Sequence, residues 1–309
     1  MTQSEEKNLN DPGLLGEIDL KELFKIVWDG KRIIIGITAV FAIGAVVYSL
    51  MLTNYYKSES ILITADSQDL GSLSQYSGLA SLTGVSLPSA GGDGIVEVME
   101  IIKSREFVKH LLTFENILPS LMAPKSFDTL SQELYFDLNV FDPQEKSWTS
   151  GLKPSYIETH ETYISNVLTI SNDKMTGLVS ITVEHISPVF AKDFLTLIIN
   201  EANNLKREKA INTSDKSLDH LKVELSNTSL VPIKESINQL IKAQLETRMM
   251  AKANEDYSLV MIEPPFIPEK KSKPGRAIIC IVATMFGGML SMLLVLVRHY
   301  SLGKEIKGL

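Results

Sequence analysis

Five histidines stand at positions 110, 160, 185, 220 and 299, and imidazoles are the first groups to weigh for base catalysis or metal ligation. None belongs to an HExxH pair, and the single cysteine, Cys280, excludes a cysteine-based metal centre. No GxSxG elbow presents a serine nucleophile. His185 follows Glu184 at the end of a β-rich run, and such neighbours read as a surface pair before they read as a base with its orienting acid. Asp137 with Asp142, or Glu158 with Glu161, could be written as the paired carboxylates of glycoside hydrolysis, but a chain with 37 acidic residues contains such pairs by chance. The glycines at 71, 78, 84, 91, 92 and 94 lack both GxxxxGK[ST] and GxGxxG spacing, so residues 66–94 read as a flexible surface loop and not as a phosphate cradle. The residues thus assemble no catalytic set, no cofactor site and no metal site.

What the chain does carry is two long apolar runs. Residues 33–52 (IIIGITAVFAIGAVVYSLML) and 277–297 (AIICIVATMFGGMLSMLLVLV) contain no charged side chain, and each reaches the ~20 residues that cross a bilayer core. The first is preceded by 32 mostly polar residues and is too long for a signal peptide's apolar region. Lys21, Lys25, Lys31 and Arg32 precede the first run and only Lys57 follows closely, which places the N-terminus, and with two spans the C-terminus, in the cytoplasm. Lys270, Lys271, Lys273 and Arg276 crowd the loop side of the second run. Loops this long translocate largely regardless of charge, so the first span decides. With 30 basic against 37 acidic residues the net charge is −7, which excludes a nucleic-acid binder acting through general basic charge. Residues 53–276 hold no cysteine, as suits an oxidising space where a domain of this size is held by its core.

The elements follow from periodicity. Residues 17–32 place Leu20, Leu23, Phe24, Val27 and Trp28 on one helical face behind Asp19 as N-cap, either as an amphipathic helix on the inner membrane surface or as a helix end continuous with the first span. Lys57–Thr64 reads as a strand, and 95–112 as a helix packing Val98, Ile101, Ile102, Phe107, Val108 and Leu111 on a sheet. Leu134–Phe141 alternates weakly as a strand, and a short helix follows Pro154. The runs 167–171 and 178–185, joined by NDKMTG, predict a β-hairpin. Ser187-Pro188 opens a helix of about 40 residues, roughly 188–230. Its Ile211, Leu218 and Leu225 repeat every seven residues. That seam suits a helical hairpin within one subunit or contact with a neighbouring copy, and the second is favoured.

After Val231-Pro232 a second stripe (Ile233, Ile237, Leu240, Ile241, Gln244, Leu245, Met249) continues, and Leu259–Ile262 is strand-like. Pro264, Pro265, Pro268 and Pro274 make 263–276 an extended, stiff connector into the second span. Within that span Ala283, Gly287 and Ser291 at four-residue spacing, with Gly288, permit close approach of another helix. The expected fold is an α+β periplasmic domain with a long extended helix, flanked by two transmembrane helices: residues 1–32 cytoplasmic, 33–52 and 277–297 spanning, 53–276 periplasmic and 298–309 a cytoplasmic tail.

EIDLKELFKIVW (17–28), EIIKSREFV (100–108), PSYIETHETYISNVLTISND (154–173), HISPVFAKDFLTLIINEAN (185–203) and IEPPFIPEKKSKPGR (262–276) together make the chain resemble the Wzz-type chain-length determinants, the polysaccharide co-polymerases of the bacterial inner membrane. The resemblance implies a ring-like homo-oligomer that sets the modal length of O-antigen of lipopolysaccharide, or a related polysaccharide, made by a Wzy-type polymerase. It implies no chemistry and no cofactor of its own, with the growing glycan as a further contact and no nucleic acid. Kinase-bearing relatives place an ATP-binding domain after the second span, whereas 12 residues follow Val297 here, so the non-kinase branch is expected. The competing readings are a two-span periplasmic sensor or receptor and an envelope-glycan enzyme.

Overall fold

A computed structural model describes residues 20–64, 93–149, 153–173 and 175–305. The chain divides into two units, Met1–Leu52 with Pro274–Leu309, and Thr53–Lys273. Five of the loop glycines, at 71, 78, 84, 91 and 92, lie outside the described residues.

The first unit is helical. Helix α1 (Leu20–Asp29) is separated by Gly30 from α2 (Lys31–Met51). α2 and the C-terminal helix, whose Arg276–His299 part is as apolar, both have mean hydropathy 2.4 and are long enough to cross a membrane. Both are mostly exposed, which a core helix of a water-soluble domain would not be.

The second unit is a mixed α+β domain. Strand β1 (Tyr55–Thr64) is followed by α3 (Asp93–Lys103), α4 (Arg105–Leu111) and α5 (Ile117–Met122). The single helix expected over 95–112 is broken at Ser104, whose extended backbone and Oγ, accepting from the Phe107 N–H at 3.1 Å, make it the N-cap of α4. Two small hairpins come next: β2 (Pro124–Asp128) with β3 (Glu133–Phe136), and β4 (Phe141–Asp142) with β5 (Ser147–Trp148). The weak strand expected over 134–141 is therefore two short pieces.

Helix α6 (Tyr156–Thr162) starts on a full capping box between Ser155 and Glu158 and runs into a π-helical turn, Tyr163–Val167. The hairpin of β6 (Leu168–Asp173) and β7 (Leu178–His185) turns at Gly177, whose φ of 71° only glycine adopts freely. The main sheet has the order β6-β7-β1-β8, all antiparallel, with β8 at Leu259–Glu263.

Helix α7 (Pro188–Asn227) has 40 residues. Ser187 accepts from the Phe190 N–H at 3.2 Å and Pro188 occupies the first turn, where a missing N–H costs nothing. Its first half covers the sheet: Phe194, Leu195, Ile198 and Ile199 join Val98, Ile102, Phe107, Leu111, Tyr163, Val179, Ile181 and Val183 in one core. The second half packs on α8 (Val231–Ala253), which starts with Pro232 in its first turn. Leu221, Ile237 and Leu240 are buried between them, with Leu225 beside. At Leu221, with Leu225 half-buried beside it, the stripe packs on the chain's own returning helix, as the helical-hairpin alternative requires. Apolar knobs at heptad spacing fill holes in whichever helix lies antiparallel and close, and a three-residue turn at 228–230 supplies one.

Candidate functional site

The membrane-length helices are α2 and α9 (Arg276–Glu305). On α9 the small residues Gly287 and Ser291 are buried, and Ala283 and Gly288 half-buried. On α2 the buried positions are Ala45 and Ser49. A Cβ on Gly287 would stand 2.6 Å from Phe41 Cβ, whereas one on Gly288 would meet only Thr38 Oγ1 at 3.9 Å. The absence of a side chain at Gly287 is therefore what lets the two helices approach at Phe41. Ser291 donates to the Gly288 carbonyl at 2.7 Å, so its hydroxyl is satisfied inside its own helix. The same close approach recurs at Gly30, where a Cβ would stand 2.5 Å from Val295 Cγ1.

The proline-rich segment 263–276 is tied to the sheet at both ends: β8 includes Glu263, and β9 (Lys271–Lys273) pairs with Tyr55 and Tyr56 of β1. Between them Ser58 donates to the Phe266 carbonyl and Ser60 to the Glu263 carbonyl, each at 2.7 Å. Pro268 is buried, Pro265 and Pro274 half-buried and Pro264 exposed. The four prolines occupy positions outside β8 and β9, where no ladder N–H is required.

The start of β1, the end of β7, α5 and the π-helical turn enclose a cleft of about 410 Å3. Tyr55, Lys125, Asn166, Glu184, His185 and Lys273 are among its walls. Glu184 accepts from Ser272 Oγ at 2.5 Å and from Lys273 Nζ at 2.6 Å. His185 is no surface partner of Glu184. It is 4% exposed because alternate strand residues face opposite ways, and it shares the inner face with Ile181 and Val183. Its Nε2–H donates to the Ser120 carbonyl at 2.8 Å, and its Nδ1 accepts from the Ser187 N–H at 3.1 Å. Burial pushes His185 down to about 4. With both nitrogens engaged, the ring holds α5 to the start of α7 and has no free lone pair for a substrate proton.

The other reactive-looking side chains have local structural duties. Asp137 accepts from the Asn139 N–H at 3.1 Å and Asp142 from the Gln144 N–H at 2.8 Å, each closing its own turn. Glu158 is engaged in the Ser155 capping box. His160 Nε2 meets the Lys103 carbonyl at 2.8 Å, and His110 Nε2 meets Glu201 at 2.6 Å. Among the described residues no three His, Cys, Asp or Glu side chains gather as a metal ion requires.

Two positions escaped the sequence reading. Asn203, 2% exposed on α7, donates to the Leu259 carbonyl at 2.8 Å and accepts from the Ser258 and Leu259 N–H groups at 3.0 and 2.8 Å. It thereby fixes the entry of β8. A polar residue directly after Ala202 on the buried stripe was the available signal. The second is Ile26, 6% exposed within α1, which lies off the expected Phe24 and Trp28 face.

These features define a chain with two helices long and apolar enough to cross a membrane, an α+β domain and a long antiparallel helical hairpin. Residues 16–113, about a third of the chain, match the family model "Wzz: Chain length determinant protein". Tyrosine-protein kinase etk of Escherichia coli strain K12 is 32% identical over 104 residues, which is 32% of this chain and 13% of the kinase. The same protein of Escherichia coli O157:H7 matches equally. The chain thus spans about an eighth of the length of these curated relatives. Among solved structures, a full-length bacterial polysaccharide co-polymerase aligns over 92% of this chain and 99% of its own, at 13% identity and TM-score 0.44. A fragment of WzzB, polysaccharide co-polymerase from Salmonella Typhimurium, aligns over 71% of this chain and 100% of its own, at 13% identity and TM-score 0.30.

Proposed function

We propose that the protein is an inner-membrane regulator of polysaccharide chain length, a non-catalytic co-polymerase. The observation that carries this reading is the match of residues 16–113 to the chain-length-determinant family. The protein acts as a ring-like homo-oligomer beside a Wzy-type polymerase, and the polymer is O-antigen of lipopolysaccharide. Residues 1–32 and 298–309 are cytoplasmic, 33–52 and 277–297 span the membrane, and 53–276 are periplasmic. The cation excess before the first span supports this orientation. The engagement of Asp137, Asp142, Glu158 and His185 in turns, a cap and a buried tether supports a role without bond chemistry. The Gly287 contact holds the spans at one spacing, and Pro264, Pro265, Pro268 and Pro274 set the path from the sheet edge into α9.

The test is a gel of surface polysaccharide from cells with and without the gene. Deletion is expected to turn a clustered ladder into a graded one. A ladder that stays clustered, with polysaccharide still made, overturns the reading and favours a two-span receptor.

A further inference from the structure

Helix α1 leaves its most apolar face uncovered. Phe24 and Trp28 are 69% and 61% exposed, with their rings stacked 6.0 Å apart at an interplanar angle of 23°. Ile26 lies about 200° around the helix from each of them and is buried, and α1 packs on both α9 and α2. Gly30 presses on Val295 just beyond. The rotation of α1 is therefore fixed, and the aromatic pair is held pointing away from its protein support.

The charge around this pair is opposite to that of the whole chain. Among residues 24–32, Lys25, Lys31 and Arg32 oppose one acid, Asp29, so the stretch carries 3 − 1 = +2 in a chain of −7. Lys25, Lys31 and Arg32 are exposed and make no ion pair among the described residues. The Lys31 ammonium sits 4.9 Å from the centre of the Trp28 ring, a cation–π contact that leaves its other side open to an anion. The apolar run begins at Ile33, four residues after the end of α1, which puts the aromatic pair close to the membrane–water boundary by chain length alone. Two rings are too small a surface for a stable protein interface, which needs about 1,000 Å2. A ring pair beside unpaired cations at the end of a span is the arrangement that suits a lipid surface.

We propose that α1 is an interfacial anchor for anionic phospholipid: Lys25, Lys31 and Arg32 meet the headgroup phosphates while Phe24 and Trp28 lie among the glycerol and upper acyl groups. Because α1 packs on α9 and Gly30, directly after it, lies close against Val295, the lipid contact also fixes the tilt of the helix pair. Replacing Lys25 and Lys31 by Gln weakens the contact without touching either packed position.

The chain has two tryptophans, so the full-length W148F protein reports on Trp28 alone. It is placed one copy per nanodisc, in discs of phosphatidylcholine or of phosphatidylcholine with phosphatidylglycerol. Trp28 emission is expected to shift to shorter wavelength, and acrylamide quenching to fall about two-fold, in the anionic discs. K25Q/K31Q should erase most of that difference. Equal quenching in the two lipids overturns the proposal. So does shielding that arises only with two or more copies per disc, which would make a second chain the occupant.

Discussion

His185 should make the domain acid-sensitive through one buried ring. Its ordinary pKa of 6.5 falls to about 4 in the fold, chiefly because burial disfavours the charged form. Protonation would also place an N–H on Nδ1, directly facing the Ser187 N–H that it now accepts from. Above pH 6.5 the ring is neutral in both folded and unfolded chains and its contribution is complete. Between pH 6.5 and 4 the unfolded chain takes up the proton and the folded one does not, so stability falls as pH falls and the loss is complete near pH 4. The gap between 6.5 and about 4, at 1.36 kcal/mol per pK unit, makes this loss about 3 kcal/mol. The perturbation is His185→Gln, which keeps a donor and an acceptor but cannot titrate. Urea unfolding of the full chain in detergent micelles, followed by far-UV circular dichroism at pH 7.5 and pH 4.5, gives the two slopes. Glu59, held low by the Ser180 hydroxyl, and Glu97, held low by Lys206 and Lys209, titrate alike in both proteins and cancel. The wild type should lose at least about 2 kcal/mol more than the variant over this range. Parallel losses would refute the burial argument.

Two further substitutions separate positions that look alike in sequence. Gly287→Ala drives a methyl to 2.6 Å from Phe41 Cβ and must push α2 and α9 apart, whereas Gly288→Ala meets nothing nearer than 3.9 Å. Only the first should speed hydrogen exchange along α2 and change the polysaccharide length distribution, and equal behaviour would refute a role for close helix approach. Asn203→Ala leaves the Leu259 carbonyl and the Ser258 and Leu259 N–H groups without their partner, so it should cost roughly 2–4 kcal/mol of domain stability. A loss under about 0.5 kcal/mol by chemical unfolding would show that water replaces the side chain there.

What the sequence discloses and what it withholds divide by the range of the interaction. Ser187-Pro188 and the Ser155/Glu158 pair announce helix starts because a cap is made within four residues, and the β6–β7 hairpin is legible from its own turn. Ser104 looked like an ordinary polar position inside a helix, since its capping role depends on a backbone change that the apolar spacing around it does not record. The heptad on α7 fixed which residues would be buried but not against what. Ile211, Leu218 and Leu225 present the same knobs to a neighbour or to α8, and it is the burial of Leu221 with Ile237 and Leu240 that shows α8 lying against this part of the stripe.

The prolines disclose where the ladder stops but not that the residues on either side pair. They do bar their own positions from a central ladder, but Leu259–Glu263 before them and Lys271–Lys273 after the first three keep their N–H groups and pair with β1. Ser58 and Ser60 hold the intervening carbonyls from more than 200 residues away. The consequence bears on the site. A segment paired with β1 at both ends is stiffened by those strand bonds as well as by its prolines. The Lys273–Glu184 pair and the Ser272 hydroxyl fasten β9 to the end of β7 as well, beside the cleft wall that Glu184 and Lys273 share.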